Sequence, residues 1–342
     1  MKTSRTALFG AATAALLLPA LLVPAAASAT PNTGEPTVTV LASGLQGTTG
    51  SAIGPDRALY VPQSATGEIT RIDLDSGATS TFASGLPSDV VGIGGITDVA
   101  FVGDTAYALV TLVGPDVGGS EVNGIYRIDD ADSFTLIADL GAWSTMNPPD
   151  TPFDQPSGLQ FALQPVHGGF LVTDGHHNRV LLVTLDGSVS EVIQFENVVP
   201  TGLDVKGRTV YLAQAGPVPY LPEDGRIVSF SWKADSPTAS TVASGYSLMI
   251  DVETGRCGSL FALSQGDSPG DVIEGSPALP DSGELLMVHR DGEVSVIAED
   301  LNLPTSLEVV RNTAYVVTLG GDVLKITNLI GHGDCQGTRH GH

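Results

Sequence analysis

A pattern of four short apolar segments recurs six times between Ser51 and Leu329, and no other feature restricts the fold so narrowly. Each copy opens with a turn and a hydroxyl residue. The third copy reads Pro156-Ser157-Gly158-Leu159-Gln160-Phe161, then Gly169-Phe170-Leu171-Val172-Thr173-Asp174, Arg179-Val180-Leu181-Leu182-Val183 and Val189-Ser190-Glu191-Val192-Ile193. The fourth copy opens Pro200-Thr201-Gly202-Leu203-Asp204-Val205 and the sixth Pro304-Thr305-Ser306-Leu307-Glu308-Val309. First strands are expected to start at Thr49, Thr97, Ser157, Thr201, Leu248 and Thr305, 44 to 60 residues apart. Four short strands at this spacing make one blade of a propeller, so the chain is expected to be all-β, with six blades.

The ends of the repeat array predict how the ring closes. The sixth copy stops at its third strand, near Lys325-Ile326-Thr327. Before the first copy, Thr37-Val38-Thr39-Val40-Leu41-Ala42 resembles the fourth strands Thr79-Ser80-Thr81-Phe82-Ala83 and Ser240-Thr241-Val242-Ala243. The N-terminal strand should therefore complete the last blade, removing two exposed sheet edges at once.

Outside residues 37–329 the chain reads differently. Lys2 and Arg5, an apolar stretch over residues 7–23 and Ala27-Ser28-Ala29 have the order of a secretory signal, with cleavage expected after Ala29. Residues 30–36 read as a flexible leader and residues 330–342 as a polar tail. No later stretch is apolar enough to span a bilayer, so the mature chain is expected to be secreted and monomeric. The formal net charge of −23 repels phosphate backbones and anionic membranes, which argues against nucleic acid as a partner. It reads either as solubility outside the cell, the acids being dispersed rather than in runs, or as attraction of cationic ligands. Two cysteines, Cys257 and Cys335, form an even pair in an exported chain and are expected to be joined as a disulfide.

Loop length differs between the two ends of the blades. Turns after first and third strands are short, as at Leu185-Asp186-Gly187-Ser188, where Asp-Gly tolerates positive φ. Connections after second and fourth strands are long, over residues 112–124, 139–156, 214–225 and 265–283. Antiparallel strands place all the long loops on one face, where function is expected.

Val172-Thr173-Asp174-Gly175-His176-His177-Asn178-Arg179-Val180 resembles an NHL-type propeller repeat. With Val199-Pro200-Thr201-Gly202-Leu203, Ala215-Gly216-Pro217-Val218-Pro219, Leu221-Pro222-Glu223-Asp224-Gly225 and Leu263-Ser264-Gln265-Gly266-Asp267, the mature chain resembles the ScyD/ScyE family of exported propellers. That family is named for cyanobacterial scytonemin-pigment gene clusters. The resemblance implies a six-bladed propeller and no agreed reaction.

Asp174, His176, His177 and Arg179 are candidates for ligand contact, since two imidazoles beside an acid and a guanidinium can bind metal or move protons. As in NHL-like repeats, Asp174 and Arg179 can instead tie the turn between second and third strands. Tyr220, Glu223 and Asp224 lie in a loop stiffened by Pro217, Pro219 and Pro222, which reads as a ligand surface or a clamp between blades. The two clusters follow second strands of adjacent blades and are expected side by side. Thr49, Thr97, Ser157, Thr201 and Thr305 satisfy backbone groups of the opening turns or ring the channel mouth, with Asp98 beside them. Trp143, Met146 and Phe153 anchor a long loop or line a pocket. The tail histidines His332, His340 and His342 read as solvated.

Two functional classes fit these residues. The first is a non-catalytic module that binds a small molecule, a peptide or an extracellular protein through the long-loop face. The second is a metal-dependent propeller hydrolase or lyase, similar to lactonases or streptogramin lyases. It requires a divalent metal held by side chains from separate blades, for which Asp98, Asp174 and His176 are the candidates. A quinone-dependent sugar dehydrogenase shares the scaffold, but no cofactor motif supports it. No G-x-S-x-G elbow, P-loop or H-E-x-x-H pair occurs.

Overall fold

The alternation of apolar side chains to both faces of the middle strands leaves them no stable position except between two other sheets. In the computed structural model, which describes residues 34–273 and 275–330, this demand is met by six four-stranded antiparallel sheets arranged as blades. In the third blade, Phe170 and Val172 of the second strand (Gly169–Asp174) pack toward blade 2, while Leu171 packs toward blade 4. Each seam between neighbouring blades holds its own apolar cluster, and the seam of blades 6 and 1 is closed by Val317, Tyr315 and Val323 against Leu59, Val61 and Ile72.

Ring closure follows the sequence expectation. The strand Thr37–Ala42 pairs antiparallel with Val323–Thr327, with Val38 opposite Ile326 and Val40 opposite Leu324, as the outer strand of the last blade. The first and last strands of the array thus share one sheet, and unzipping either end breaks the ring.

The innermost strands are Ala52–Ile53, Gly95–Val102, Gln160–Val166, Pro200–Lys206, Met249–Thr254 and Pro304–Val310. Five of them carry an irregularity near the start, where pairing with the second strand slips. A bulge turns a side chain away from its ladder position. Here threonines at or just before the strand starts reach forward: Thr49 Oγ1 donates to the Thr97 carbonyl, Thr97 Oγ1 to the Gln160 carbonyl, and Thr201 Oγ1 to the Met249 carbonyl. Each bond crosses to the next blade, so the hydroxyls stitch blades together and satisfy backbone, as one of the two readings expected.

The longest interblade connection contains the one α-helix among the described residues, Leu140–Met146, capped by the Asp139 carboxylate accepting from the Ala142 N–H. Among the described residues, no helix is long and apolar enough to cross a membrane. The expected signal segment, most of the leader, all the tail histidines and Cys335 lie outside the described residues. Cys257 sits in the short turn after Met249–Thr254, in a left-handed conformation with φ 59°.

Candidate functional site

The inner strands leave a central cavity of about 890 Å3 that opens among the long loops. Its upper wall is largely apolar, with Val91, Leu112, Tyr220, Ile250 and Ile273 among the lining residues, interrupted by His176, Asp154 and Gln155. Deeper, the wall becomes acidic, because inner-strand residues that do not face a seam must face the lumen. Asp98, Asp204, Asp251, Glu253 and Glu308 all line it.

These carboxylates occupy two levels fixed by register. Nearer the mouth are Asp98, opposite Leu109 of its second strand, and Asp251, opposite Leu263. They belong to blades 2 and 5 and face one another across the ring. One step deeper are Asp204, Glu253 and Glu308, which pair with the aromatic residues Tyr211, Phe261 and Tyr315 in blades 4, 5 and 6. The corresponding positions in blades 1, 2 and 3 are Ala52, Ala100 and Gln164. The deep level is therefore acidic on one side and neutral on the other.

Three of the five acids are also struts. Asp98 accepts from its own neighbour Val99 N–H at 2.8 Å and from Leu163 N–H of blade 3 at 2.7 Å. Asp204 accepts from Val205 and, across the seam, from Thr254 at 2.9 Å. Asp251 accepts from Val252 and from Leu307 of blade 6 at 2.7 Å. Gly50 and Gly202 make room for two of these groups, since a Cβ at either position would run into the Asp98 or Asp251 carboxylate. Glu253 and Glu308, by contrast, accept no hydrogen bond from the described residues.

Electrostatics follow from this placement. Burial pushes Asp98 well above the ordinary carboxylate range, with the bonds from Leu163 and Val99 opposing it and the Asp251 charge adding to it. Burial likewise raises Asp251 to about 7 against the bonds from Leu307 and Val252, with Asp204 contributing repulsion. Glu253 and Glu308 are both raised, first by burial and then by neighbouring carboxylates. No lysine or arginine lines the cavity among the described residues.

The sequence-predicted cluster of blade 3 has another role. Asp174, His177 and Arg179 are all removed from solvent. Arg179 Nε lies 3.3 Å from Asp174 Oδ2, Nη1 donates to the Asn147 carbonyl, and Nη2 donates to Ser144 Oγ. Its guanidinium also stacks 4.9 Å from the Trp143 ring. His177 Nδ1 is 3.1 Å from Asp174, and its Nε2 meets the Gln155 carbonyl. Burial alone would raise Asp174, yet His177 and Arg179 hold it below the usual range. This is a buried knot fastening the helix loop to the hairpin. These three side chains, read from the sequence either as ligand contacts or as a tied turn, lie out of solvent within a tied turn. Phe153 stacks on His177 at 5.1 Å between ring centroids, so Trp143 and Phe153 anchor the loop, whereas Met146 is exposed.

His176 does reach the cavity. It lines the mouth, and its Nε2 meets the backbone N–H groups of Asp154 and Gln155, both at 3.1 Å, beside the Asp154 carboxylate. Tyr220 lines the same mouth, with its hydroxyl accepting from Gly275 N–H at 2.9 Å. Ser268 Oγ also bonds to the Pro219 carbonyl. The proline loop of blade 4 is thus clamped to the long loop of blade 5. Glu223 is exposed on that loop, Asp224 lies near Arg226, and neither lines the cavity. The two candidate clusters are linked through Asn178, whose Oδ1 accepts from Val198 and Val199; those residues bond to Gly216 and Ala215.

Asp98, Asp174 and His176 do not converge. Among the described residues no three His, Cys, Asp or Glu side chains are gathered as a cation-holding group, so the residues as placed do not fit the metal that the hydrolase reading requires. Sequence reading named Asp98 but missed Asp204, Asp251, Glu253 and Glu308. The signal was present in the parallel openings Thr201-Gly202-Leu203-Asp204 and Thr305-Ser306-Leu307-Glu308, which place an acid at the same inner-strand position.

No known family profile matches the chain. No curated protein matches it either. Solved structures of similar fold include a gluconolactonase from Xanthomonas campestris, with TM-score 0.60, 12% identity, and 85% of this chain and 89% of that one covered. Virginiamycin B lyase from Staphylococcus aureus gives TM-score 0.51 at 12% identity over 86% of this chain and 99% of its own. The PQQ-bound aldose sugar dehydrogenase from Streptomyces coelicolor gives 0.53 at 12% identity over 86% and 98%. At such identity these establish the propeller fold alone.

Proposed function

We propose that this chain is an exported binding module that admits a small molecule through its long-loop face into the central cavity. One observation carries this reading: the cavity couples an apolar mouth to a floor with two carboxylates, Glu253 and Glu308, that no described protein group engages. A concave apolar site with a few converging polar groups is the usual form of a small-molecule pocket. Secretion after cleavage at Ala29, a monomeric state and membership of the ScyD/ScyE family belong to the same proposal. Asp98, Asp204 and Asp251, which accept bonds from the neighbouring blade, hold the inner wall in place.

The test compares the wild-type protein with Ala162→Trp, which projects a bulky ring from the lumen-facing part of blade 3. Both are incubated with culture-medium extract, and the retained small molecules are identified by mass spectrometry. Retention by wild type and loss in the variant are expected. Equal retention by both, or none by either, would remove the cavity as the binding site.

A lactonase or lyase activity is the second reading. It is favoured by the gluconolactonase and the virginiamycin B lyase among the proteins of like fold. Turnover of a lactone or a streptogramin that requires an added divalent cation and stops with chelator would select it over simple binding.

A further inference from the structure

We infer that the ligand is a cationic amphiphile, with an ammonium or guanidinium head against Glu253 and Glu308 and an apolar body along the upper wall. This rests on the cavity being the binding site.

The vertical order of the cavity sets the shape of the ligand. First strands enter from the long-loop face, so residues earlier in each strand lie nearer the mouth. Ile250 therefore sits above Glu253, as Thr305 sits above Glu308. The apolar residues contributed by the long loops, Leu112, Tyr220 and Ile273, lie higher still. A ligand entering from that face passes the rim group of His176 and Asp154, then the apolar surface of the upper wall, and meets the inner-strand carboxylates last. An apolar body would leave water at the top and gain on the order of 25 cal/mol per Å2 buried.

The horizontal asymmetry sets where the charge belongs. At the deep level Asp204 is already engaged by Val205, Thr254 and Gln164. Glu253 and Glu308 come from adjacent blades and are left with open acceptor positions. Two carboxylates on one wall, facing the neutral Ala100 and Gln164 of blades 2 and 3, suit one directional donor group better than a centred metal ion. A hard divalent cation calls for six to eight oxygen ligands around it, and the described side chains gather no such shell. An organic cation needs two acceptors on one side, and each charge-assisted hydrogen bond it forms is about twice as strong as a neutral one. With no lysine or arginine in the wall, an anionic head finds no counter-charge.

The test uses three probes of one shape that differ only in the head group: 4-phenylbutylamine, 4-phenylbutanol and 4-phenylbutyrate. Their binding is measured by calorimetry. Wild type should bind the amine about tenfold or more tightly than the alcohol, a ratio that about 1.4 kcal/mol supplies, and the butyrate weakest. The double change Glu253→Gln with Glu308→Gln should erase the preference for the amine while leaving the alcohol unchanged. Because it removes two repelling acids without altering shape, this variant should fold, and the alcohol serves as the check that its cavity is intact. Single changes at either position should each lose part of the preference. If all three probes bind alike and Ala162→Trp blocks them all, the cavity reading stands and the cationic ligand is wrong. If the amine is preferred equally by the double variant, its head lies elsewhere and the proposal falls. If no probe binds wild type, both readings fall.

Discussion

Asp174 and Arg179 face each other as a register pair across the second and third strands of blade 3, with Nε 3.3 Å from Oδ2 and both side chains out of solvent. Between them the chain makes a four-residue turn, in which Asn178 takes φ 55°. The pair resembles a catalytic couple in sequence and functions as a fastening in space.

Arg179→Ala should therefore destabilise the protein by about 3–5 kcal/mol, because it strands a buried carboxylate. Asp174 is held below its ordinary value of 3.8, so its stabilising contribution is complete above that pH and is lost as the pH falls through the lower folded value. Denaturant melts of wild type and Arg179→Ala at neutral pH give the comparison. A loss below about 1 kcal/mol, the scale of an exposed pair, would show that the knot carries no structural weight.

Asp251 predicts the opposite pH trend. Its folded-state value is raised to about 7 by burial, so the folded protein holds a proton that the unfolded chain releases near 3.8. Between these values the unfolded state binds fewer protons, and this residue's contribution to stability falls as the pH rises. Asp251→Asn keeps an acceptor for the Leu307 or Val252 N–H and cannot ionise. Melting temperature followed from pH 4 to 8 should decline less steeply in the variant than in wild type. Parallel curves would mean that Asp251 titrates normally.

The tyrosine at the mouth is expected to act on a neighbouring loop. Tyr220→Phe removes the hydroxyl that accepts from Gly275 N–H and leaves the ring in its apolar cluster with Val199, Leu248 and Ala278. Losing one such bond costs about 0.5–1.5 kcal/mol, so amide exchange at Gly275 should accelerate about two- to tenfold while the blade strands stay protected. Unchanged exchange at Gly275 would deny the clamp.

Cys257 and Cys335 are predicted to form a disulfide that secures the C-terminal tail on the short-loop face. Peptide mapping of the unreduced protein should recover the two segments as one linked species. A crosslink spanning this separation typically contributes about 2–4 kcal/mol, and reduction should lower the unfolding midpoint accordingly. Two separately alkylated cysteines without reductant would overturn it.

The fold was legible because it is repetitive and local. Strand spacing, Asp-Gly turns and the resemblance of Thr37–Ala42 to other fourth strands are all properties of short segments, and six copies reinforce one reading. Segregation of long loops to one face also follows from strand direction alone. His-His beside Asp and Arg drew attention in the sequence because those residues are adjacent along the chain, yet adjacency reports nothing about exposure. Tertiary packing buried Asp174, His177 and Arg179 beneath the helix loop and turned them into a brace. It also gathered Asp98, Asp204, Asp251, Glu253 and Glu308, spread over more than 200 residues of sequence, around one lumen. Their encounter depends on ring closure, because a blade alone leaves its inner strand facing water. Sequence determined which side chains point inward; only the closed ring made that inward surface a single acidic cavity.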